Sequence, residues 1–318
     1  MATTTSITTT YAGKFLQQYI ATALLSAPTL DKQLVTIKSN IKYKEVIKKI
    51  ATGGLLKDAS CDFTATGSIT LTERVLQPKE LQVNQQLCKK DFHSDYISEE
   101  MGISAYDTLA PSFADFILAR YAAQVAQENE ISFWRGATGT SGQYDGICTL
   151  IAADAALPSA QEIAGTTVTS SNVLAELRKI VAAIPATIIA KEDMFIYLPV
   201  NMYYAYIAAL GGFGASGLGA NGVGGQGTQW YSNQALSIDG VKIVLAEGLA
   251  SNVAIAAQKS NLYFGTGLFS EDMNTVKLID TSETLGDENV RIVMRMTGCA
   301  NYGYAEEIVT YGITNSAN

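Results

Sequence analysis

Histidine occurs once in the 318 residues, at His93. That excludes any two-histidine metal site and leaves a single candidate base for a serine or cysteine nucleophile. It sits in Asp91-Phe92-His93-Ser94-Asp95 with no partner that the sequence positions, so it reads as a surface or boundary residue. Cysteine is also scarce. Cys61, Cys88, Cys148 and Cys299 are widely scattered and form no CxxC pair, which points away from zinc and redox motifs and toward reduced thiols. Charge is low as well, at 16% against 47% apolar residues. A surface largely covered by partner subunits would explain that shortage. No run approaches the ~18 apolar residues of a membrane span. The opening residues are a threonine-rich polar run rather than a basic-then-apolar signal, so neither a membrane partner nor a signal peptide is expected.

The charge that is present is uneven. Residues 32–90 hold eleven of the twenty-two lysines and arginines but only five carboxylates, a local +6 on a chain of net −8. A basic segment on an acidic body suits an assembly in which each copy lays its basic part on a neighbour. A solvated basic strand pair would show the same bias. Nucleic-acid contact is the weaker reading, because no platform of aromatics and arginines accompanies the lysines.

The stretch 110–135 anchors the reading of the chain. It begins with Pro111, which suits the first helical position, and contains no further glycine or proline until Gly136. About 25 residues at 1.5 Å each give a rod of roughly 37 Å. Phe113, Phe116, Ile117, Ile131 and Trp134 fall on one side and Leu118, Tyr121 and Val125 on another, so protein is expected on both. Upstream, residues 11–25 look like a short amphipathic helix bearing Phe15, Leu16, Tyr19, Ile20 and Leu24. Val35, Ile37, Ile41 and Tyr43 alternate with polar residues, as do residues 69–75 running on toward Leu81 and Val83. With a loose tip at 51–67 containing Gly53-Gly54, the two runs read as a long β-hairpin. A hairpin of that kind needs a surface to lie on, and its length and charge suggest a neighbouring subunit. Downstream, strands and helices alternate: a helix at 172–183, a buried-type strand at 193–199, a tyrosine-rich helix at 201–210, and strands at 241–246 and 253–257. This argues for an α/β unit. The last part, with strands at 276–279, 290–296 and 308–311, should pack under the long helix.

Enzyme signatures are weak. Two GxGxxG matches lie within 211–227, a stretch with nine glycines, but both follow a helix instead of a strand and no GK[ST] is present. The dinucleotide and P-loop arrangements need strand, turn and helix in that order. The stretch reads as a loop at the tip of the α/β unit, of the kind that orders against copies of itself about a symmetry axis. The carboxylate pairs Glu99-Glu100, Asp287-Glu288 and Glu306-Glu307 read as solvated or as facing a neighbour's basic hairpin. No catalytic residue, metal ligand or cofactor-binding residue is assigned, and no cofactor is expected.

The order of elements resembles the major capsid proteins of tailed double-stranded-DNA bacteriophages, with the Hong Kong 97-type fold. The most similar stretches are Leu71-Thr72-Glu73-Arg74-Val75-Leu76-Gln77-Pro78 leading to Cys88-Lys89-Lys90-Asp91-Phe92, and Tyr144-Asp145-Gly146-Ile147 after the long helix. Residues 193–199 and 262–268 also look similar. The resemblance implies an α+β fold: an N-terminal arm (1–32), an extended β-hairpin or E-loop (33–92), a peripheral domain with a spine helix (93–150), an α/β axial domain (151–275), and C-terminal strands returning to the peripheral domain (276–318). It implies self-assembly into hexamers and pentamers of an icosahedral shell around packaged double-stranded DNA, held by non-specific contact. The shell would form in the host cytoplasm, with a separate scaffolding protein and a portal as partners. Inter-subunit contacts would come from Lys42, Lys44, Lys48, Lys49, Gly53, Gly54, Lys57 and Arg74 of the hairpin. Gly211, Gly212, Phe213, Gly217, Gly219, Gly222 and Gly224 of the axial loop would add to them, as would Phe15, Tyr19 and Ile20 of the arm. Because the arm begins almost at Met1, any scaffold is expected to be a separate chain. Some relatives crosslink a lysine to an asparagine; Lys57 with Asn289 or Asn301 would be the candidates, but the sequence supplies no register for them. An encapsulin-like protein compartment of the same fold and a nucleotide-binding α/β enzyme are the alternatives.

Overall fold

The computed structural model describes residues 27–54, 56–59, 61, 65–88, 111–210, 236–267, 275–281 and 285–317. In chain order the elements are a one-turn helix α1 (Pro28–Asp31), β1 (Thr36–Lys38), β2 (Glu45–Gly53), β3 (Ser68–Leu76), β4 (Lys79–Cys88), the long helix α2 (Pro111–Arg135) and α3 (Ile147–Ile151). Then come β5 (Glu162–Ile163), α4 (Val173–Ala183), β6 (Met194–Leu198), α5 (Val200–Ala209), β7 (Ser237–Ile238), β8 (Val241–Leu245), β9 (Ala254–Gln258), β10 (Leu262–Gly265), β11 (Thr275–Asp280), β12 (Asn289–Tyr302) and β13 (Val309–Tyr311).

Helix α2 is the 25-residue rod that the sequence implies. It ends at Gly136 for a steric reason: a Cβ there would lie 2.2 Å from the Tyr144 carbonyl oxygen and 2.6 Å from that of Ser132. The returning chain bonds at the same place, with Gly146 N–H donating to the Gly136 carbonyl at 2.9 Å. The last turn of α2 carries Phe133 and Trp134, both fully buried. Phe133 meets Trp134 edge-on at 5.1 Å and Phe264 of β10 at 6.2 Å, and Trp134 lies 5.0 Å from Tyr197 of β6. The end of α2 therefore sits at a joint between two sheets, because β6 and β10 belong to different ones.

The first sheet has the order β1-β10-β12-β11, with β4 also on β12. Its organiser is β12, whose 14 residues are long enough to hold β4 and β11 along residues 289–298 and β10 along 299–302. The second sheet is mixed, in the order β5-β13-β9-β6-β8-β7. Helices α4 and α5 contribute Val173, Leu177, Ile180, Met202 and Tyr206 to a core with Ile196, Leu198, Ile243 and Ala256 of that sheet. This is the α/β unit read from the alternation of elements. The third sheet is the two-stranded ribbon β2-β3.

Three expectations change. The 35–43 run is not the first strand of the hairpin. Its early part is β1, which pairs in parallel with β10, and Asn40 then breaks the run in the left-handed region at φ 67°. The second run also divides, because β3 ends at Leu76 and β4 leaves the ribbon to pair with β12. Finally, β13 lies in the α/β sheet between β5 and β9, while β10, upstream of residue 275, joins β12. The chain thus crosses between the sheets twice near its end. Alternation marks a half-buried strand but does not say which partner it takes.

Candidate functional site

The β2–β3 ribbon is poorly covered by its own chain: along β3 only Arg74 and Leu76 are less than a third exposed. Its register runs from Glu45 opposite Leu76 to Gly53 opposite Ser68. Residues opposite each other share a face, and successive residues alternate. One face therefore carries Ile47 and Arg74, then Lys49 and Thr72. The other carries Val46 and Val75, Lys48 and Glu73, Ile50 and Leu71.

The first face is seated on the body at the inner end of the ribbon. Leu76 and Ile47 pack with Ile41, Tyr263 and Cys299 in a small apolar cluster. Next along, the Arg74 guanidinium pairs with the Asp154 carboxylate, its Nε donates to the Gly303 carbonyl at 3.1 Å, and it lies 4.2 Å from the centre of the Tyr302 ring. Farther out, Lys49 is 9% exposed, lies over the Tyr304 ring at 4.9 Å and reaches Glu306 at 3.7 Å. The Ile50 amide donates to the Tyr304 hydroxyl at 3.2 Å, and Asn301 Nδ2 donates to the Val75 carbonyl at 2.9 Å. So of the basic residues expected to reach a neighbour, Arg74 and Lys49 are engaged within their own subunit.

The second face is open. Ile50 is 56% exposed, Leu71 70%, and Ile69 67%, with Val46 and Val75 partly exposed. Tyr43 before the ribbon and Leu56 in its tip are exposed too. Ile50, Leu71 and Ile69 adjoin at the outer end of this face, with the Lys48–Glu73 pair between them and Val46 and Val75, and side chains grouped so form a patch, which isolated exposed leucines do not. Lys42, Lys44 and Lys48 are exposed along the same segment, Lys44 over the Tyr43 ring at 5.3 Å. Gly54 turns the tip with φ 39°, Gly53 closes β2 opposite Ser68, and Lys57 is exposed in the tip. Asn289 donates to Asp287 at 3.0 Å, so with the Asn301 bond to Val75 both crosslink candidates use their amide nitrogens within the chain.

A second anchor holds the root of the N-terminal segment. Thr29 of α1 donates to Glu130 of α2 through its amide at 3.2 Å and through its hydroxyl, and Trp134 Nε1 donates to Glu130 at 3.0 Å. Burial raises the Glu130 pKa, these bonds oppose the rise, and the charge of Glu247 adds to it. Glu130, Glu247 and Pro28 help line an open recess of about 320 Å³. Burial pushes the thiols of Cys148 and Cys299 up to about 12, which keeps them protonated. Among the described residues no group of three or more His, Cys, Asp or Glu side chains could hold a metal, and no helix is long and apolar enough to cross a membrane.

Phe15, Tyr19 and Ile20, the axial-loop residues Gly211, Gly212, Phe213, Gly217, Gly219, Gly222 and Gly224, and His93 lie outside the described residues. Sequence reasoning missed Asp154, Tyr302 and Tyr304, and it turned Glu306 to the solvent or to a neighbour's hairpin, whereas Glu306 meets Lys49 of its own ribbon. Their ribbon partners Arg74, Lys49 and Ile50 lie 80 or more positions away along the chain, and no local pattern marks the pairing.

No protein-family model matches the chain, and no curated protein matches it. Solved structures do. The chain is similar to a chain of the satellite phage P4 procapsid, at 10% identity and TM-score 0.57, over 94% of this chain and 99% of that one. It is also similar to the capsid of a native GTA particle (12% identity, TM-score 0.54, 90% and 89% covered) and to a structure of Mycobacterium phage Adephagia (12%, 0.54, 92% and 89%). At such identities the likeness speaks for architecture, and it does so over nearly the whole length: the chain has the α+β fold of phage capsid proteins.

Proposed function

We propose that this chain is the structural major capsid protein of a tailed bacteriophage, with no catalytic role, and that many copies close an icosahedral shell around double-stranded DNA. The observation that carries the reading is the two-faced ribbon: one face is seated on its own body and the other is an exposed apolar row, on a fold shared with capsid chains. A two-stranded ribbon is marginal alone, and an exposed apolar row is an aggregation hazard unless a partner covers it. In a shell the neighbouring copy covers it, and each modest contact is repeated through the assembly. Lys42, Lys44 and Lys48 supply the basic contacts of the hairpin, with the tip at Gly53, Gly54 and Lys57. The arm residues Phe15, Tyr19 and Ile20 run beneath a neighbour, and the 211–227 loop surrounds the axes of hexamers and pentamers. The DNA is held without sequence preference. A separate scaffolding protein and a portal complete assembly in the host cytoplasm.

Electron microscopy with a nuclease-protection assay on particles from the natural source tests this. Icosahedral shells that protect double-stranded DNA are expected. Shells filled with protein would transfer the chain to the compartment class, and a small oligomer that binds nucleotide would overturn both.

A further inference from the structure

The ribbon is held to its body by two kinds of contact that do different work. The cluster of Ile41, Ile47, Leu76, Tyr263 and Cys299 at the foot is apolar. Such contacts favour burial but are non-directional, so they tolerate a change of angle. The contacts beyond it are directional: Asn301 on Val75, Tyr304 on Ile50 and Lys49, and, with the most partners, Arg74. Arg74 presents a planar fork that is satisfied on several sides at once, by the Asp154 carboxylate, the Gly303 carbonyl and the face of Tyr302.

Asp154 is itself fixed from the body. It accepts the Tyr302 hydroxyl at 2.6 Å and the Ala156 amide at 3.0 Å, and its own carbonyl accepts Asn315 Nδ2 at 2.8 Å. The two charged side chains are mostly covered, at 22% and 16% exposure. Separating them would leave two partly desolvated charges, which costs more than breaking a surface pair.

We propose that Arg74, Asp154 and Tyr302 form a latch that sets the angle of the ribbon on its own subunit, and through it the curvature at which copies join. The inference rests on the shell reading above but concerns residues inside one subunit. Geometry gives the latch its leverage. From Arg74 to Ser68 the strand runs six residues, about 20 Å at 3.3 Å each, so a tilt of about 10° at the foot displaces Ser68 by about 3–4 Å. A displacement of that size would take the exposed row of Ile50, Ile69 and Leu71 out of register with whatever it packs against. Arg74 is thus a positioning residue: its contacts are to Asp154, Gly303 and Tyr302 of its own subunit, and it acts through the face it orients. The hydrogen bonds fit that role. Burial alone would raise the Asp154 pKa, yet the bonds from Tyr302, Ala156 and Arg74, with the charge of Arg74, hold it below the usual carboxylate value.

The test uses the full chain with Arg74→Ala, Arg74→Lys and Tyr302→Phe. Amide hydrogen exchange is read on the unassembled subunit, and shell diameters are read by electron microscopy. Arg74→Ala should speed exchange of the β2 and β3 amides by about tenfold to a hundredfold, while β6 and β9 keep wild-type protection, showing an intact body. Its shells should show a broadened or shifted spread of diameters. Arg74→Lys, which keeps the charge but loses the fork, and Tyr302→Phe, which keeps the ring but loses the hydroxyl, should fall between. Unchanged ribbon exchange in Arg74→Ala overturns the latch. A loosened ribbon with wild-type diameters overturns its role in curvature. If the wild-type chain forms no shell, the shell reading fails, and curvature control with it, while the exchange result still decides whether the latch exists.

Discussion

Gly136 and Glu130 sit within two turns of each other in α2 and its stop, and each is constrained for a reason the other does not share. At Gly136 the constraint is space, since the Tyr144 and Ser132 carbonyl oxygens occupy the position of a side chain. Gly136→Ala should force that turn apart and destabilise the chain by about 1–3 kcal/mol, measured by chemical denaturation. At Glu130 the constraint is solvation. Glu130 is 2% exposed and its carboxylate accepts from Thr29 and Trp134, with no cation among its hydrogen-bond partners in the described residues. Burial raises its pKa above the usual glutamate value. A folded-state acid with a raised pKa binds more protons than the unfolded chain, so the cost of its charge is fully present above the raised value and is relieved as pH falls toward 4.5. Glu130→Gln removes that titration. The melting temperature of the variant minus that of the wild type should therefore be larger at pH 8 than at pH 5, and a constant difference would mean Glu130 does not titrate in this range. Glycine as a stop for a long helix is legible in the sequence. Nothing in the sequence singles out Glu130, and only the packing of α1 onto α2 makes it an anchor.

Among the elements, α2 was legible in length and boundaries, because propensity, periodicity and a terminal glycine agree there. The α/β unit was legible too, since short apolar strands alternating with amphipathic helices have few other solutions. The hairpin was legible only in its existence. Its inner strand begins at Glu45, ten residues after Val35, because Asn40 adopts a left-handed conformation that a period-two pattern does not reveal. Nor could the sequence say which face would be seated. Both faces mix apolar and charged residues, and most of the seat is made by Asp154, Tyr263, Cys299 and residues 301–306, far along the chain. The exposed row supports a direct prediction. Ile69→Ser with Leu71→Ser should leave stability of the free subunit within about 0.5 kcal/mol, as for surface positions generally. The same pair should abolish or sharply reduce shells seen by microscopy. Wild-type shell yield from that double variant would show that the row is not a contact.

For the whole molecule, charge is the property to follow. The +6 segment at 32–90 on an acidic remainder is visible in composition, but the structure divides it. Lys49 and Arg74 turn inward, and Lys42, Lys44 and Lys48 stay exposed. Replacing those three with Gln should lower shell yield most at low salt, with the gap to wild type closing as ionic strength rises and shortens the screening length. Equal yields at all salt concentrations would remove electrostatics from the association between copies.

By itself the sequence determined the composition-level and local features: the scarcity of charge and histidine, a long two-sided helix, an α/β unit and a basic ribbon. These follow from residue preferences and periodicities that act over a few turns or a few strand residues. The tertiary structure decided partnership. It put β1 beside β10 and β13 beside β9, made β12 the spine of one sheet, and joined Arg74 to Asp154 and Glu130 to Thr29. Those pairings depend on which distant surfaces fit when the core closes, and no local pattern carries that information.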